Sequence, residues 1–315
     1  MPNIEEQNLT EFLLEVKAKM ANISTSQNNE INDINQYVLN NSGKFIRSKI
    51  IYLYGLEIGV KKPKLVELAS AAELIHLSTL IHDDIIDEAD LRRDMPTVVK
   101  KWGIKKAILY GDFLYTKTFQ GLNSLENTDI ANVLINCAEA LIEGEFNQLK
   151  IKDSSTFSMA EYFDVIEKKT AVLFSGVLKC LGLEAKLPAD YINDLEQLGL
   201  SFGRAFQIND DLSDFEDSKT TGKAKFKDLA EGKLTLPMIF LLGSLQEAEQ
   251  VEILKIIESG EFLRIKQVLE SSGSFEKARH ERQVAINHCI EYTERFIKLD
   301  KLEEIKTFIK NILVA

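Results

Sequence analysis

The 315-residue chain carries 38 Lys and Arg against 49 Asp and Glu, a formal charge of −11, with only 5 Pro and 16 Gly. An acidic surface of that kind argues against nucleic acid as a partner, because it repels phosphate. Scarce Pro, modest Gly and 45% hydrophobic residues favour long helices around a sizeable core. Cys137, Cys180 and Cys289 are far apart and odd in number, which matches neither a zinc spacing nor a disulfide framework and fits buried thiols in a reducing cytosol. The N-terminus lacks a signal pattern, and the longest strongly apolar run, around residues 234–242, is interrupted by Pro237 and too short to span a bilayer. The expectation is a soluble, cytoplasmic protein.

Residues 4–20 place apolar side chains at helical spacing, and a polar stretch at 22–30 reads as a loop. Ser42-Gly43-Lys44-Phe45-Ile46-Arg47 opens a helix through Leu56. Lys44 and Arg47, three apart, suit either an anion at the helix start or an ordinary basic edge. Pro63 starts a helix from about residue 64 to 87, which ends on His82-Asp83-Asp84-Ile85-Ile86-Asp87. At about 100° per residue the three carboxylates share an arc of roughly 100°. They sit at the negative end of the helix dipole, so a cation is wanted there, and closely spaced oxygens suit Mg²⁺. A solvated acidic helix end is the bland alternative. His76, two turns earlier, reads by spacing as a core histidine. Arg92 and Arg93 follow in a loop, as phosphate ligands or as salt-bridge partners of the same aspartates.

Four helical segments, 104–123, 129–149, 157–181 and 189–212, come next. Glu145, Gln148, Lys168, Lys169 and Thr170 interrupt their apolar faces. The last ends in Gln207-Ile208-Asn209-Asp210-Asp211-Leu212-Ser213-Asp214, which repeats the Asp-Asp-x-x-Asp spacing. The two arrays are expected to form opposing walls of one metal–diphosphate site. A basic flap at 221–228 and Lys233 follow, then amphipathic helices over 246–313 with no evident chemistry. With no linkers and no convincing strands, the reading is one all-α domain over residues 1–315.

Over residues 40–240 the chain resembles the trans-isoprenyl diphosphate synthases, or polyprenyl synthetases. The likeness rests on His82–Asp87 through Arg92, Arg93, Pro96 and Thr97; on Phe206-Gln207-Ile208 with Asp210, Asp211 and Asp214; and on Asp228-Leu229, Glu231-Gly232-Lys233 and Thr235-Leu236-Pro237. Gly111-Asp112 and Lys169-Thr170 agree as well. The resemblance implies a helical barrel with a central cavity, a homodimer, and about three Mg²⁺ bound with diphosphate. It implies that Asp83, Asp84, Asp87, Asp210, Asp211 and Asp214 hold the ions. Arg92, Lys169, Thr170, Gln207, Lys223 and Lys233 would contact the allylic diphosphate, and Lys44, Arg47, His76 and Arg93 the isopentenyl diphosphate. The chain departs from the family at Phe45, Ile46 and Ser48, where an Arg, a Leu and a Pro are usual, at Asp94 in place of a glycine, and at Ala224 in place of a proline.

The implied reaction ionises an allylic diphosphate and lets the double bond of isopentenyl diphosphate attack the cation, lengthening the chain by one isoprene unit. Competing readings are a terpene cyclase or head-to-head condensing enzyme, and a non-catalytic subunit of a heteromeric synthase. The growing tail is expected to run back along the helix that carries Asp83, past Ser78 and Thr79 about 6 Å below the carboxylates. Family members with aromatic residues at that level make short products. Here both are small, so the floor is expected deeper, at Ile75, Leu77 or Phe119, with an all-trans product of about C30–C40 destined for a quinone side chain and C15–C20 as runner-up. At most transient membrane-surface contact would release such a product.

Overall fold

The structure, a computed structural model, describes residues 4–122, 127–152, 158–215, 226–233 and 235–314. It is all-α, with helices α1 (Ile4–Ile23), α2 (Asn29–Asn40), α3 (Ile46–Glu57), α4 (Lys62–Ile86), α5 (Val98–Trp102), α6 (Ile104–Leu122), α7 (Thr128–Lys152) and α8 (Met159–Ile166) in its first half. A five-residue π turn, Glu167–Ala171, leads into α9 (Val172–Glu184) and α10 (Ala189–Ser213). After these come α11 (Lys227–Ala230), α12 (Leu236–Leu242), α13 (Glu247–Glu258), α14 (Phe262–Ser271), α15 (Ser274–Thr293) and α16 (Leu299–Leu313). Among the described residues the only strands are β1 (Leu91–Arg92) and β2 (Met95–Pro96), an antiparallel pair.

The chain divides into two compact units, each assembled from separate stretches. The first comprises Met1–Glu139, Leu173–Glu196 and Phe296–Lys298. Its axis is α4, which begins with Pro63 in its first turn, where a missing N–H costs nothing. Helices α1, α3 and α6 pack against it, so its buried positions, from Leu65 through Ala69, Ala72 and Ile75 to Ile81, are not confined to one stripe. Phe12, Val16, Ile51, Leu114, Phe174 and Val177 complete the core. By length and composition α4 could cross a membrane, a property the sequence reading sought at residues 234–242; its most apolar window is 67% buried in the fold.

Two local features differ from expectation. Phe45, at φ 51°, is the N-cap residue of α3, so Lys44 lies ahead of the helix rather than one turn from Arg47 on its surface. The stretch after α4, expected to be a loop, is a hairpin in which Arg92 pairs with Met95. Arg93 (φ 53°) and Asp94 (φ 61°) form its turn, the left-handed pair that matches strand twist. The hairpin is braced by Tyr37, whose hydroxyl donates to the Pro96 carbonyl at 2.7 Å. The Lys101 ammonium lies 3.9 Å from the Tyr37 ring centroid and 4.6 Å from that of Trp102.

The second unit comprises Ala140–Val172, Gln197–Arg295 and Leu299–Ala315. Its core joins Tyr162 and Ile166 to Ile208, Leu212, Phe215, Phe226, Leu229 and Met238, with Phe215 edge-on to both Phe226 and Phe275. A reciprocal capping box between Ser158 and Glu161 starts α8. The helix expected across 157–181 is interrupted by the π turn. Widening the turn lets two adjacent residues reach in different directions, Lys169 to α7 and Thr170 to α10.

Candidate active site

In the first unit the last turn of α4 sorts its aspartates. Asp83 and Asp87 share a face and are half-buried, whereas Asp84 is buried. Arg92 reaches back from the hairpin and donates from Nε and Nη2 to Asp84 Oδ1, both at 2.8 Å. Asp84 is thereby fixed in place. The guanidinium of Arg93 donates to the Asn41 carbonyl and lies against Gly43, where a Cβ would sit 2.4 Å from Nη2. A side chain at this position would push the end of Arg93 aside.

Two helical turns below Asp83, around His76, positive groups collect. Arg47 is buried over the Phe174 ring, 4.5 Å from its centroid, and its Nε has no hydrogen-bond partner among the described residues. Burial pushes its pKa down to about 10, with Glu73 acting in the opposite direction. His76 is held well below the ordinary histidine range, first by burial and then by the charges of Arg47, Arg92 and Arg93. Those groups converge, as the spacing of Arg47 and His76 alone did not require. Lys44 is exposed beside them in sequence, ahead of α3. Buried Glu73 accepts from the Ser48 amide at 3.1 Å and the Ser48 hydroxyl at 2.8 Å. Sequence reasoning passed over it, although a lone charge within Ala71-Ala72-Glu73-Leu74-Ile75 was a visible signal.

The expected tail-lining positions fall around the same helix. Ser78 is fully buried and donates to the Gly111 carbonyl of α6 at 2.8 Å, so it faces α6 backbone. Thr79 donates to the His76 carbonyl, Leu77 is half-buried and Ile75 fully buried. Phe119 stacks on Tyr115 at 5.6 Å, and Tyr115 on His82 at 6.0 Å. Burial and the charge of Asp83 both push the Tyr115 hydroxyl pKa up, which puts this ring beside the first motif. The sequence reading named Phe119 and missed Tyr115, one turn away on the same face.

In the second unit Asp211 is the most constrained carboxylate. Its Oδ2 accepts from the Tyr162 hydroxyl and the Leu236 amide, both at 2.8 Å, and its Oδ1 from Gln207 at 3.1 Å. Gln207 in turn accepts from Thr170 at 2.8 Å, so a continuous chain ties the π turn to the second aspartate motif. Tyr162 carried no sequence signal, since its partner lies 49 residues away. Asp214 Oδ1 accepts from the Lys227 amide at 2.8 Å, while its buried Oδ2 has no hydrogen-bond partner among the described residues. Asp210 is half-buried. Asp228, a fourth carboxylate absent from the expected set, is pushed up to about 7 by burial and then by Asp214, Asp211 and Asp210. Asp211 is likewise pushed up to about 7, chiefly by burial. Lys169 pairs with Glu145 and donates to Gln148, and Lys233 pairs with Glu231. Lys223 lies outside the described residues.

This crowding of acids, with one buried oxygen unpartnered, fits a divalent cation with hard oxygen ligands. Among the described residues no three His, Cys, Asp or Glu side chains are placed to grip an ion by themselves.

A family model described as polyprenyl synthetase matches residues 28–271. The chain is 32% identical over 265 residues to an octaprenyl diphosphate synthase of Escherichia coli (strain K12), covering 82% of each. It is 30% identical over 303 residues to a geranylgeranyl diphosphate synthase of Saccharolobus solfataricus, covering 94% of this chain and 90% of that one. A decaprenyl diphosphate synthase from Rhodobacter capsulatus superposes with a TM-score of 0.90 at 28% identity, over 98% of this chain and 97% of that one.

Proposed function

The chain belongs to the polyprenyl synthetase family, and on that premise we propose that it is a prenyltransferase making a linear all-trans polyprenyl diphosphate of about C30–C40, with Mg²⁺. The observation that carries the diphosphate chemistry is the convergence of Arg47, Arg92 and Arg93 on a neutral His76 in the unit that presents Asp83 and Asp87. A cluster of positive groups beside an acidic helix end suits one substrate bound directly through its oxygens and another bound through a cation.

When bound, Mg²⁺ neutralises diphosphate charge and so eases departure of the leaving group. Asp83, Asp84, Asp87, Asp210, Asp211 and Asp214 would hold it. Arg92, Lys169, Thr170, Gln207, Lys223 and Lys233 take the oxygens of the allylic diphosphate. Their charge stabilises the departing group as the allylic C–O bond breaks. Lys44, Arg47, His76 and Arg93 hold isopentenyl diphosphate, and His76, kept neutral first by burial and then by the nearby arginines, still offers one N–H. The double bond then attacks the allylic cation, and a proton is lost from the adduct, with the departing pyrophosphate as its acceptor. Water must be kept from the cation, which it would quench.

The octaprenyl relative supports the longer product, and the geranylgeranyl relative keeps a C20 product as the second reading. We also read the protein as a cytoplasmic homodimer. Exposed apolar residues on α6 (Ile104, Ile108, Leu109) and on α7 (Ile142, Phe146, Leu149) support the dimer. The test is purified protein with Mg²⁺, isopentenyl diphosphate and farnesyl diphosphate, followed by chromatography of dephosphorylated products. A ladder ending at C30–C40 is expected. Absence of any condensation product would overturn the assignment, and a C20 end point would replace the chain length.

A further inference from the structure

Lys169 carries its own counter-ion. Its ammonium is paired with the Glu145 carboxylate and donates to Gln148 Oε1, two acceptors one turn apart on α7. The pair is shielded, with 15% of the Glu145 side chain and 21% of the Lys169 side chain exposed, so salt screens it weakly. Close approach is built in, because a Cβ on Gly144 would lie 2.9 Å from Lys169 Cγ and 3.0 Å from its backbone nitrogen. Thr170, the next residue, faces away onto Gln207. Lys169 thus has a partner set of its own, apart from the hydrogen-bond chain that ends on Asp211.

A carboxylate at this place does nothing to attract an anion. An arriving diphosphate must share the ammonium with Glu145 and bind against its negative charge. The opposition is not equal across the reaction. Free pyrophosphate has one more ionisable oxygen than the ester it leaves, so a fixed nearby negative charge disfavours the product more than the substrate. We propose that Glu145 is a positioning residue that acts as the internal counter-ion of Lys169 and weakens the grip on inorganic pyrophosphate, so that it leaves after each condensation. This rests on the diphosphate reading given above.

The experiment measures inorganic pyrophosphate with Mg²⁺, by calorimetry and as an inhibitor competing with the allylic substrate. Glu145→Gln removes the charge and keeps an acceptor. Pyrophosphate should bind about five- to tenfold more tightly, with a smaller fall in KM for the allylic diphosphate and a lower kcat. Gln148→Glu leaves Glu145 in place, adds a second charge to the same ammonium, and should weaken pyrophosphate by a similar factor. It also carries the test should Glu145→Gln not fold. In a Lys169→Ala background the effect of Glu145→Gln should be much smaller, because the ammonium that Glu145 shares with the diphosphate is gone. Equal affinities in wild type and both variants overturn the inference, as does a shift that is undiminished by loss of Lys169. A wild-type protein that binds no pyrophosphate at all overturns the diphosphate reading itself, and is thereby distinguished from failure of the Glu145 role.

Discussion

Asp83 and Asp210 are half-buried, whereas Asp84 and Asp211 are buried and held by donors from other elements. The two kinds should fail differently. Asp83→Ala and Asp210→Ala should each reduce kcat by about 10²–10³-fold while the thermal midpoint changes little, because the loss is in transition-state charge stabilisation. Asp211→Ala also strands the Tyr162 hydroxyl and the Leu236 amide, and should lower folding stability by about 1–3 kcal/mol. Steady-state rates and thermal melts on the same preparations check both, and full turnover in Asp210→Ala would remove the second motif from the site. His76 gives a pH signature. Its folded pKa is depressed, so the unfolded chain binds a proton that the folded one refuses. Stability should therefore fall as pH drops below the ordinary histidine value of about 6.5, by up to about 1.4 kcal/mol per pH unit. His76→Gln should lose less stability than wild type between pH 7 and 5; parallel melts would remove this account. The division of the six aspartates was not legible in sequence. All lie on similar arcs of similar helices, and only donors distant in the chain set them apart.

At the scale of elements, the hairpin that aims Arg92 and Arg93 has two non-glycine residues in its left-handed turn. Asp94→Gly should raise stability by about 0.5–1 kcal/mol by relieving a conformation that β-carbons disfavour. It should also lower KM for isopentenyl diphosphate, since a negative charge beside the arginines is removed; an unchanged midpoint and KM would count against both arguments. The Tyr115–Phe119 stack suggests where the growing tail meets resistance. Phe119→Ala and Tyr115→Ala each remove a ring, and the product mixture should shift toward longer chains; an identical ladder would show that the tail follows another path. Ser78→Phe is a poorer probe, because its ring would meet the Gly111 backbone that Ser78 now hydrogen-bonds. The helices themselves were legible, since apolar spacing and the start signal at Pro63 gave α4 to within two residues at its start. The hairpin was not, because neither turn residue is a glycine or an asparagine. Nor was the π turn, which leaves the apolar pattern unbroken on both sides.

For the molecule as a whole, apolar side chains left in solvent are the clearest sign of a further partner. Leu109 is 68% exposed and Phe146 71%, well beyond what isolated surface residues need. Leu109→Glu should convert a dimer to a monomer in sedimentation velocity, with little change in helix content; a wild-type protein that already sediments as a monomer would end the dimer reading. Sequence could deliver the fold class, since length, scarce proline and helical periodicity agree. It could not show which helices collect into each compact unit, because both units are built from stretches far apart in the chain.

The π turn at Glu167–Ala171 also makes the site vulnerable to a change of phase. One residue more than the α-helical count is stored there. Deleting Ala171 would let the turn relax to ordinary winding, and the residues within it would turn by about 100° relative to those that follow. Lys169 and Thr170 could then no longer reach α7 and α10 together. The chain would keep every charged group that the reaction uses and lose their arrangement, so its activity depends on the length of this segment as strictly as on its composition.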